Sequence, residues 1–313
     1  MPESIEISDL TKKFEKITAV DNVSLDVRRG EVFGFLGPNA AGKSTTVKIA
    51  ATLLAPTKGT IQVEGHDVQN DPVSVRSITG LLPEDGANTH YDRLSAYKNL
   101  EYFGRLYDVP EEKLHDRIEQ LLEFLELKDR GDDSPATFST GLKQKLSIAR
   151  SMIHDPSVVF LDEPTSSLDP IMSKRVREFI DTQAEGGKQT FFLCTHLLSE
   201  VEALCDRVGF ISHGVLVEVG RPKDLRRKFW TLRTFEVKLT DSNLQKSVDV
   251  ISSTGLVKSV SIKGKRVIFE VEDAETKNPQ IIKALMETGH QVVEVREQIP
   301  DLEAVYLKVI GGK

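Results

Sequence analysis

Eight residues, Gly37-Pro38-Asn39-Ala40-Ala41-Gly42-Lys43-Ser44, form a complete G-x-x-x-x-G-K-S loop. The chemistry open to such a run is the cradling of a polyphosphate. Small residues let consecutive backbone N–H groups converge on phosphate oxygens, and a helix N-terminus directly beyond adds a favourable dipole. At this spacing Lys43 reaches the β- and γ-phosphates and the Ser44 hydroxyl reaches a Mg²⁺ ion. Thr45 opens the helix that follows, expected over 45–54. The bland counterpart is a Gly-rich turn that holds nothing. The Lys-Ser pair and the apolar run Val32-Phe33-Gly34-Phe35-Leu36 before it favour a bound nucleoside triphosphate.

A second apolar run, Val158-Val159-Phe160-Leu161, ends in Asp162-Glu163. An Asp closing such a strand suits the Mg²⁺ shell of a P-loop protein, and a Glu directly after it can polarise a water for attack on the γ-phosphorus. Acids after a strand also serve as helix caps, so the pair gains weight from its partner loop and the helical block between them. Just upstream, Phe138-Ser139-Thr140-Gly141 precedes an amphipathic stretch. Ser139 reads as an N-cap, leaving N–H groups at Thr140 and Gly141 for a second anion site. A second phosphate site beside a complete first one suggests two chains sharing one nucleotide.

Those groups need elements to hold them. Ile5, Ile7, Val23, Leu25 and Val27 alternate with polar residues, as strands with one buried face do. Gly59–Gly65 reads as a further strand, and 73–77 as a short helix. Between about 92 and 130 apolar residues recur at helical spacing: Leu100, Phe103, Leu106 and Tyr107, then Leu114, Ile118, Leu121, Leu122 and Leu125. Pro110-Glu111-Glu112 suits the first turn of the second helix. Buried strands return at 158–161 and 190–194, so a helical block interrupts an α/β domain with a parallel sheet. The tail has its own order: strand (235–239), helix (244–253), strand (257–262), turn Lys263-Gly264-Lys265, strand (267–271), helix (281–288), strand (292–295), helix (302–310). That pattern, βαββαβ plus a closing helix, suits a ferredoxin-like α+β domain. Arg226-Arg227-Lys228 beside Trp230 reads as a solvated linker between the domains, with a membrane-surface or partner contact as the alternative.

Composition narrows the class. Charged residues make up 28% and hydrophobic residues 39% of 313, ordinary for a water-soluble globular chain long enough for two domains. A net charge of -7 argues against a general nucleic-acid surface. Cys194 and Cys205 have no metal spacing and fit a reducing compartment. Met1-Pro2-Glu3-Ser4 lacks the layout of a signal peptide, and no apolar run approaches the ~18–20 residues that cross a bilayer. Work at a membrane therefore needs spans from another chain.

Taken together, the loop, Phe138-Ser139-Thr140-Gly141, Asp162-Glu163, Ser167-Leu168-Asp169 and His196 resemble, in the same order, the nucleotide-binding subunits of ATP-binding cassette (ABC) transporters. The likeness covers about residues 3–225 and is strongest to the ATPases of ABC-2-type exporters for drugs or antibiotics. It implies a P-loop NTPase fold: a RecA-like core, an antiparallel β subdomain and a helical subdomain inserted at about 86–150. Domain limits are expected at 1–230 and 231–313, the latter an accessory domain. It implies ATP and Mg²⁺ as ligands, with Phe14 stacking adenine, Asp162 serving the metal, Glu163 as base, and His196 contacting the γ-phosphate. Ser139 and Gly141 would bind the ATP of a partner copy, and Asp169 would lie at the dimer seam. The expected partners are a second copy and an integral membrane permease, with no nucleic acid; the expected place is the cytoplasmic face of the membrane. Two departures stand out. Glu84 occupies a position where the family has Gln, as metal ligand and signal to the membrane subunit, and Thr140 and Leu142 replace Gly and Gln in the signature. The competing reading is a soluble ABC ATPase acting on ribosomes, DNA or iron–sulfur assembly. Translation-type members carry two cassettes and chromosome-type members a long coiled coil, neither of which occurs here. A further reading of the tail is a ligand sensor that sets the ATPase rate.

Overall fold

The computed structural model describes residues 3–84, 89–230, 232–240, 244–299 and 301–311, which divide into two compact units, Met1–Pro222 and Lys223–Lys313. In the first unit the N-terminal alternation becomes a long hairpin, β1 (Glu3–Phe14) and β2 (Ile17–Arg28). Ile5 faces Val27, Ile7 faces Leu25 and Leu10 faces Val23, so one side of the hairpin carries all six into the core. Next comes β3 (Val32–Leu36), buried along its whole length, and then α1 (Lys43–Ala50). The helix starts two residues before the Thr45 expected from sequence, because Gly42 at φ 110° turns the chain directly into it. It stops short of Leu54, where Thr52 takes a left-handed φ of 61°. Then β4 (Lys58–Val63) and β5 (His66–Asp67) complete an antiparallel sheet ordered β2-β1-β4-β5.

After α2 (Pro72–Ile78), capped by the Asp71 side chain, and β6 (Thr79–Leu82), the chain enters the helical block: α3 (Ala96–Leu106), α4 (Glu111–Phe124) and α5 (Thr140–Met152). Asn99 ties the block to the preceding loop, donating to the carbonyls of Tyr91, Leu94 and Ser95 and accepting from the Tyr91 N–H. The expected stripe holds for Leu100, Leu114, Ile118, Leu121, Leu122 and Leu125, all buried. Leu106 departs from it and is 60% exposed. The buried face of α3 runs through Leu100 and Gly104, where any Cβ would strike Leu114, and Leu106 lies on the far side. The start of the loop after Glu84, expected to signal to a membrane subunit, includes residues 85–88, which lie outside the described residues.

The remaining elements of this unit are β7 (Val158–Asp162), α6 (Pro170–Ala184), β8 (Thr190–Thr195), α7 (Leu198–Leu204), β9 (Arg207–Ser212) and β10 (Val215–Gly220). They build a sheet ordered β10-β9-β3-β8-β7-β6, parallel except for the edge strand β10. Phe33, Phe35 and Phe160 pack around Phe192 within it. Each such buried ring contributes about 1.5–3 kcal/mol. With β3, β7 and β8 parallel and adjacent, the loops leaving their C-terminal ends share one edge of the sheet. In open α/β sheets that edge is where ligands bind.

In the second unit the basic cluster is helical, not a linker: Arg226, Arg227 and Lys228 fall in the last turn of α8 (Pro222–Phe229). Pro222 at the start, Asp224 in the first turn and cations at the end match what a helix terminus favours, and Leu225 is buried. Then follow β11 (Arg233–Leu239), α9 (Leu244–Ser253), β12 (Ser259–Lys263), β13 (Arg266–Val271), α10 (Ala274–Glu287), β14 (Val292–Gln298) and α11 (Leu302–Gly311). The antiparallel order β12-β13-β11-β14 is that of a ferredoxin-like sheet, with Phe235, Val237, Val267 and Phe269 packing on Ile251, Ile281 and Leu285. Among the described residues no helix is long and apolar enough to cross a membrane.

Candidate active site

The loop between β3 and α1 opens a cavity of about 520 Å³. Its walls include Asn39, Ala40, Ala41, Gly42, Lys43, Ser44 and Thr45 from the loop, Phe14 from the hairpin, Glu84 beyond β6, and Asp162 and Glu163 at the end of β7. The N-cap of α1 is Gly42, with no side chain to satisfy the first N–H groups. Those donors and the helix dipole point at whatever lies in the loop, which is what a phosphate needs. Lys43 is buried, and its Nζ donates to the carbonyls of Gly37 (2.6 Å) and Pro38 (3.2 Å), so Gly37 and Pro38 serve the lysine at the rear of the loop.

Acids gather on the opposite wall. Ser44 Oγ donates to Glu84 Oε2 at 3.2 Å. Asp162 is 3% exposed and its Oδ1 is buried with no hydrogen-bond partner. Burial pushes the Asp162 carboxyl up to about 6; the Ser44 hydroxyl opposes the rise, and the charges of Glu84 and Glu163 add to it. A buried, under-satisfied carboxylate facing another acid and a serine hydroxyl is the donor set that a hard divalent cation with phosphate co-ligands completes. Among the described residues no three His, Cys, Asp or Glu side chains could by themselves hold a metal.

Glu163 is held from both ends. Its backbone is left-handed (φ 51°), a conformation that costs a non-glycine residue about 1–3 kcal/mol. It persists because the Glu163 N–H donates to Cys194 O (2.9 Å), and Ser166 Oγ (3.0 Å) and Gln144 Nε2 (3.4 Å) donate to its carbonyl. At the carboxylate, Thr195 Oγ1 donates to Oε2 at 3.3 Å and His196 Nδ1 lies 2.7 Å from Oε1. The ring is half exposed, so its second nitrogen is free to face a ligand. The geometry offers an oriented carboxylate beside a phosphate cradle, fit to activate a water.

Other sequence candidates sit elsewhere. Ser139, the N-cap of α5, accepts from Leu142 N–H, and neither it nor Gly141 lines the cavity. Asp169 caps α6, accepting from the N–H groups of Ile171 and Met172 at 3.0 Å each; the Met172 bond leads in holding its carboxyl below the usual range. His196 touches the cavity only through Glu163. Sequence reading missed Ile17, Thr18, Ala19, His213 and Gly214, which also line it. The one available signal was His213-Gly214, a tight turn between two apolar runs, whose Gly214 N–H donates to Ala41 O and braces the phosphate loop.

A family model described as "ABC transporter" matches residues 20–166, and one described as "ATP-binding protein DrrA1-3-like, C-terminal domain" matches residues 220–310. Among curated proteins, the daunorubicin resistance ATP-binding protein DrrA3 of Streptomyces coeruleorubidus is 33% identical over 98% of this chain and 96% of its own length. The chain belongs to the ATP-binding proteins of ABC transporters. This ABC ATPase is also 39% identical to the ABC transporter ATP-binding protein NatA of Bacillus subtilis (strain 168), over 71% of this chain and 91% of NatA. It is 30% identical to the bacitracin transport ATP-binding protein BcrA of Bacillus licheniformis, over 100% of this chain and 99% of BcrA. A solved ATP-binding subunit of an ABC transporter superposes with a TM-score of 0.68 at 30% identity, covering 72% of this chain and 92% of that one. The ABC ATPase therefore binds and hydrolyses ATP as the nucleotide-binding subunit of a transporter.

Proposed function

We propose that two copies of this ABC ATPase close around two ATP molecules, and that closing and opening drive export through a separate integral membrane subunit. The observation that carries the reading is the cavity uniting Lys43, Ser44, Asp162 and Glu163, with Ser139 and Gly141 outside it. A capped helix with its own anion-binding end, absent from the chain's own cavity, is free to complete the cavity of a second copy. Lys43 moves from its carbonyl partners to the β- and γ-phosphates, the N–H groups of residues 42–45 hold the phosphate oxygens, and Phe14, 42% exposed at the rim, stacks the base. Glu163 takes a proton from the attacking water, while His196 holds the Glu163 carboxylate and meets the γ-phosphate. Ser139 and Gly141 of the partner copy bind that same phosphate, and Asp169 lies near the seam. Loss of the phosphate removes these contacts and releases the closed state.

The Mg²⁺ site would draw on Ser44, Glu84 and Asp162, and the ion supplies charge neutralisation at the β- and γ-phosphate oxygens. Glu84 changes the balance a Gln would give: its carboxylate adds charge beside the triphosphate until a cation offsets it. In Glu84→Gln, Mg²⁺-free ATP binding is expected to tighten about five-fold, the effect of about 1 kcal/mol of removed repulsion. The Mg²⁺ concentration for half-saturation should rise in parallel. Fluorescent-nucleotide titrations with and without EDTA measure both, and an unchanged Mg²⁺ profile would remove Glu84 from the metal site.

The names of DrrA3 (daunorubicin resistance) and BcrA (bacitracin transport) favour an antibiotic as the cargo of the whole transporter, and the domain from about residue 231 is assigned an accessory role there. The working location is the cytoplasmic face of the membrane, docked on the permease. Purification of the tagged chain from detergent-solubilised membranes tests this. A multi-span membrane protein should accompany it in fixed proportion, and vesicles reconstituted with both should hydrolyse ATP faster than the ATPase alone. Recovery with ribosomes or DNA instead, and no stimulation by any membrane protein, would sink the exporter reading.

A further inference from the structure

Behind the hydrolysis site lies a buried acid that the mechanism above does not use. Glu200, in α7, is 3% exposed. Its Oε1 accepts a 2.8 Å hydrogen bond from Thr165 Oγ1, and its Oε2 is buried with no hydrogen-bond partner. Burial raises the Glu200 carboxyl; the hydroxyls of Thr165 and then Thr195 pull it back, and the Glu163 charge adds to the rise. Glu200 N–H donates to Leu197 O at 3.1 Å, and Leu197 N–H donates to Thr195 Oγ1, the hydroxyl that itself donates to Glu163 Oε2, so the start of α7 joins the acid to Thr195.

A plain packing role does not account for this placement. An apolar side chain of similar size would avoid the cost of burying a carboxyl with one oxygen unpaired. Glu200 also joins two segments with different duties. Thr165 begins the stretch Ser166-Ser167-Leu168 that runs to Asp169, while Thr195 and His196 orient the Glu163 carboxylate.

We propose that Glu200 is a positioning residue for ATP hydrolysis, a strut by which the start of α7 ties Thr165 to the Thr195–Glu163 pair. Through it, the stretch leading to Asp169 sets the aim of the hydrolytic carboxylate. When a second copy presses on that stretch, Thr165 shifts the Glu200 carboxyl, the start of α7 moves with it, and Leu197 and Thr195 re-aim Glu163. The strut rests on the reading of Glu163 as the base, and it makes hydrolysis depend on the seam between copies without altering how ATP is held.

The test is steady-state ATP hydrolysis by the full chain in Glu200→Ala, Glu200→Gln, Thr165→Val and the Glu200→Ala/Thr165→Val double variant, with Glu163→Gln as reference. Glu200→Ala should lower kcat about ten-fold, as expected of a small misplacement of a reacting group. KM and the nucleotide dissociation constant should stay within about two-fold, since binding groups are untouched. Glu200→Gln, still able to accept from Thr165, should recover most of the rate. Thr165→Val should match Glu200→Ala, and the double variant should lose no more than either, the signature of residues acting as one unit. Should Glu200→Ala fail to fold, Thr165→Val and Glu200→Gln carry the same comparison. Full kcat in the Ala and Val variants, a loss expressed in KM, or additive losses would overturn the strut while Glu163→Gln remains inactive. Normal turnover in Glu163→Gln would overturn the base reading and the strut together.

Discussion

ATP turnover by Glu163→Gln is expected to fall by about 10²–10⁴-fold, the usual worth of a positioned general base. Gln is nearly isosteric, so Gln144 and Ser166 still hold the backbone carbonyl, and the residue 163 N–H still reaches Cys194 O. The amide oxygen can still accept from one of Thr195 and His196, so the fold and the nucleotide cavity survive. What disappears is the group that takes the proton. Nucleotide affinity should stay within a few-fold, because no phosphate-binding group has changed. With hydrolysis blocked, the closed pair has no exit, and ATP should convert the variant into a stable dimer visible by light scattering. His196→Ala would not mimic this fully: it frees Glu163 Oε1 but leaves the Thr195 bond, so a partial loss distinguishes holding from proton transfer. Turnover of Glu163→Gln within about three-fold of wild type would exclude Glu163 as the base.

The chemistry of the first unit is legible in the sequence because it is local. Gly37–Ser44 carries its own geometry, Val158–Glu163 is a buried strand ending in acids, and Ser139 announces an N-cap. Each signal spans fewer than a dozen residues; β3 and β7 bring the first two to one edge of a sheet, while Ser139 stays outside the cavity there. The groups that escaped are those positioned by contacts remote in sequence. Gln144 reaches the Glu163 carbonyl, Gly214 braces Ala41 and Glu200 meets Thr165, none of them foreshadowed by periodicity. Glu163's left-handed backbone is likewise invisible in a strand-forming run that any reader extends as β. In the second unit, α10 begins seven residues before the expected Ile281, at Ala274, and carries Pro279 inside it. Pro279 forgoes its own N–H bond there and its ring crowds the carbonyl of Glu275, and burial of Ala274, Ile281 and Leu285 on the sheet outweighs that cost. The basic run in α8 misled in the opposite way. Charge without an apolar stripe looks like a linker, yet a single buried Leu225 between a proline start and a cationic end is enough for two turns.

Ser139→Asp separates the two halves of the proposed composite site. Ser139 has extended backbone and its side chain accepts from Leu142 N–H, a duty that Asp performs equally well, so α5 keeps its cap and the melting temperature should not fall. The same substitution sets a negative charge where the γ-phosphate of the partner's ATP must lie. Two like charges about 4 Å apart repel by ~4 kcal/mol near a protein surface, which predicts roughly a 10²–10³-fold loss of turnover. A single copy's own cavity contains no atom of Ser139, so ATP binding to the isolated variant should be unaffected. Lys43→Ala gives the complementary defect, because it removes the cation that must exchange Gly37 and Pro38 carbonyls for phosphate, while its signature helix stays whole. Each variant alone should be inactive. Mixed in equal amounts, the two can pair so that the intact loop of the Ser139→Asp copy meets the intact α5 of the Lys43→Ala copy. Random pairing leaves roughly a quarter of all sites complete, and activity should reappear to about that extent. If the mixture stays as silent as its components while mixed dimers are present, no site is shared across copies. If Ser139→Asp hydrolyses ATP at the normal rate, the γ-phosphate never approaches that helix. Only recovery on mixing fits a nucleotide held by the lysine loop of one copy and the serine-capped helix of the other.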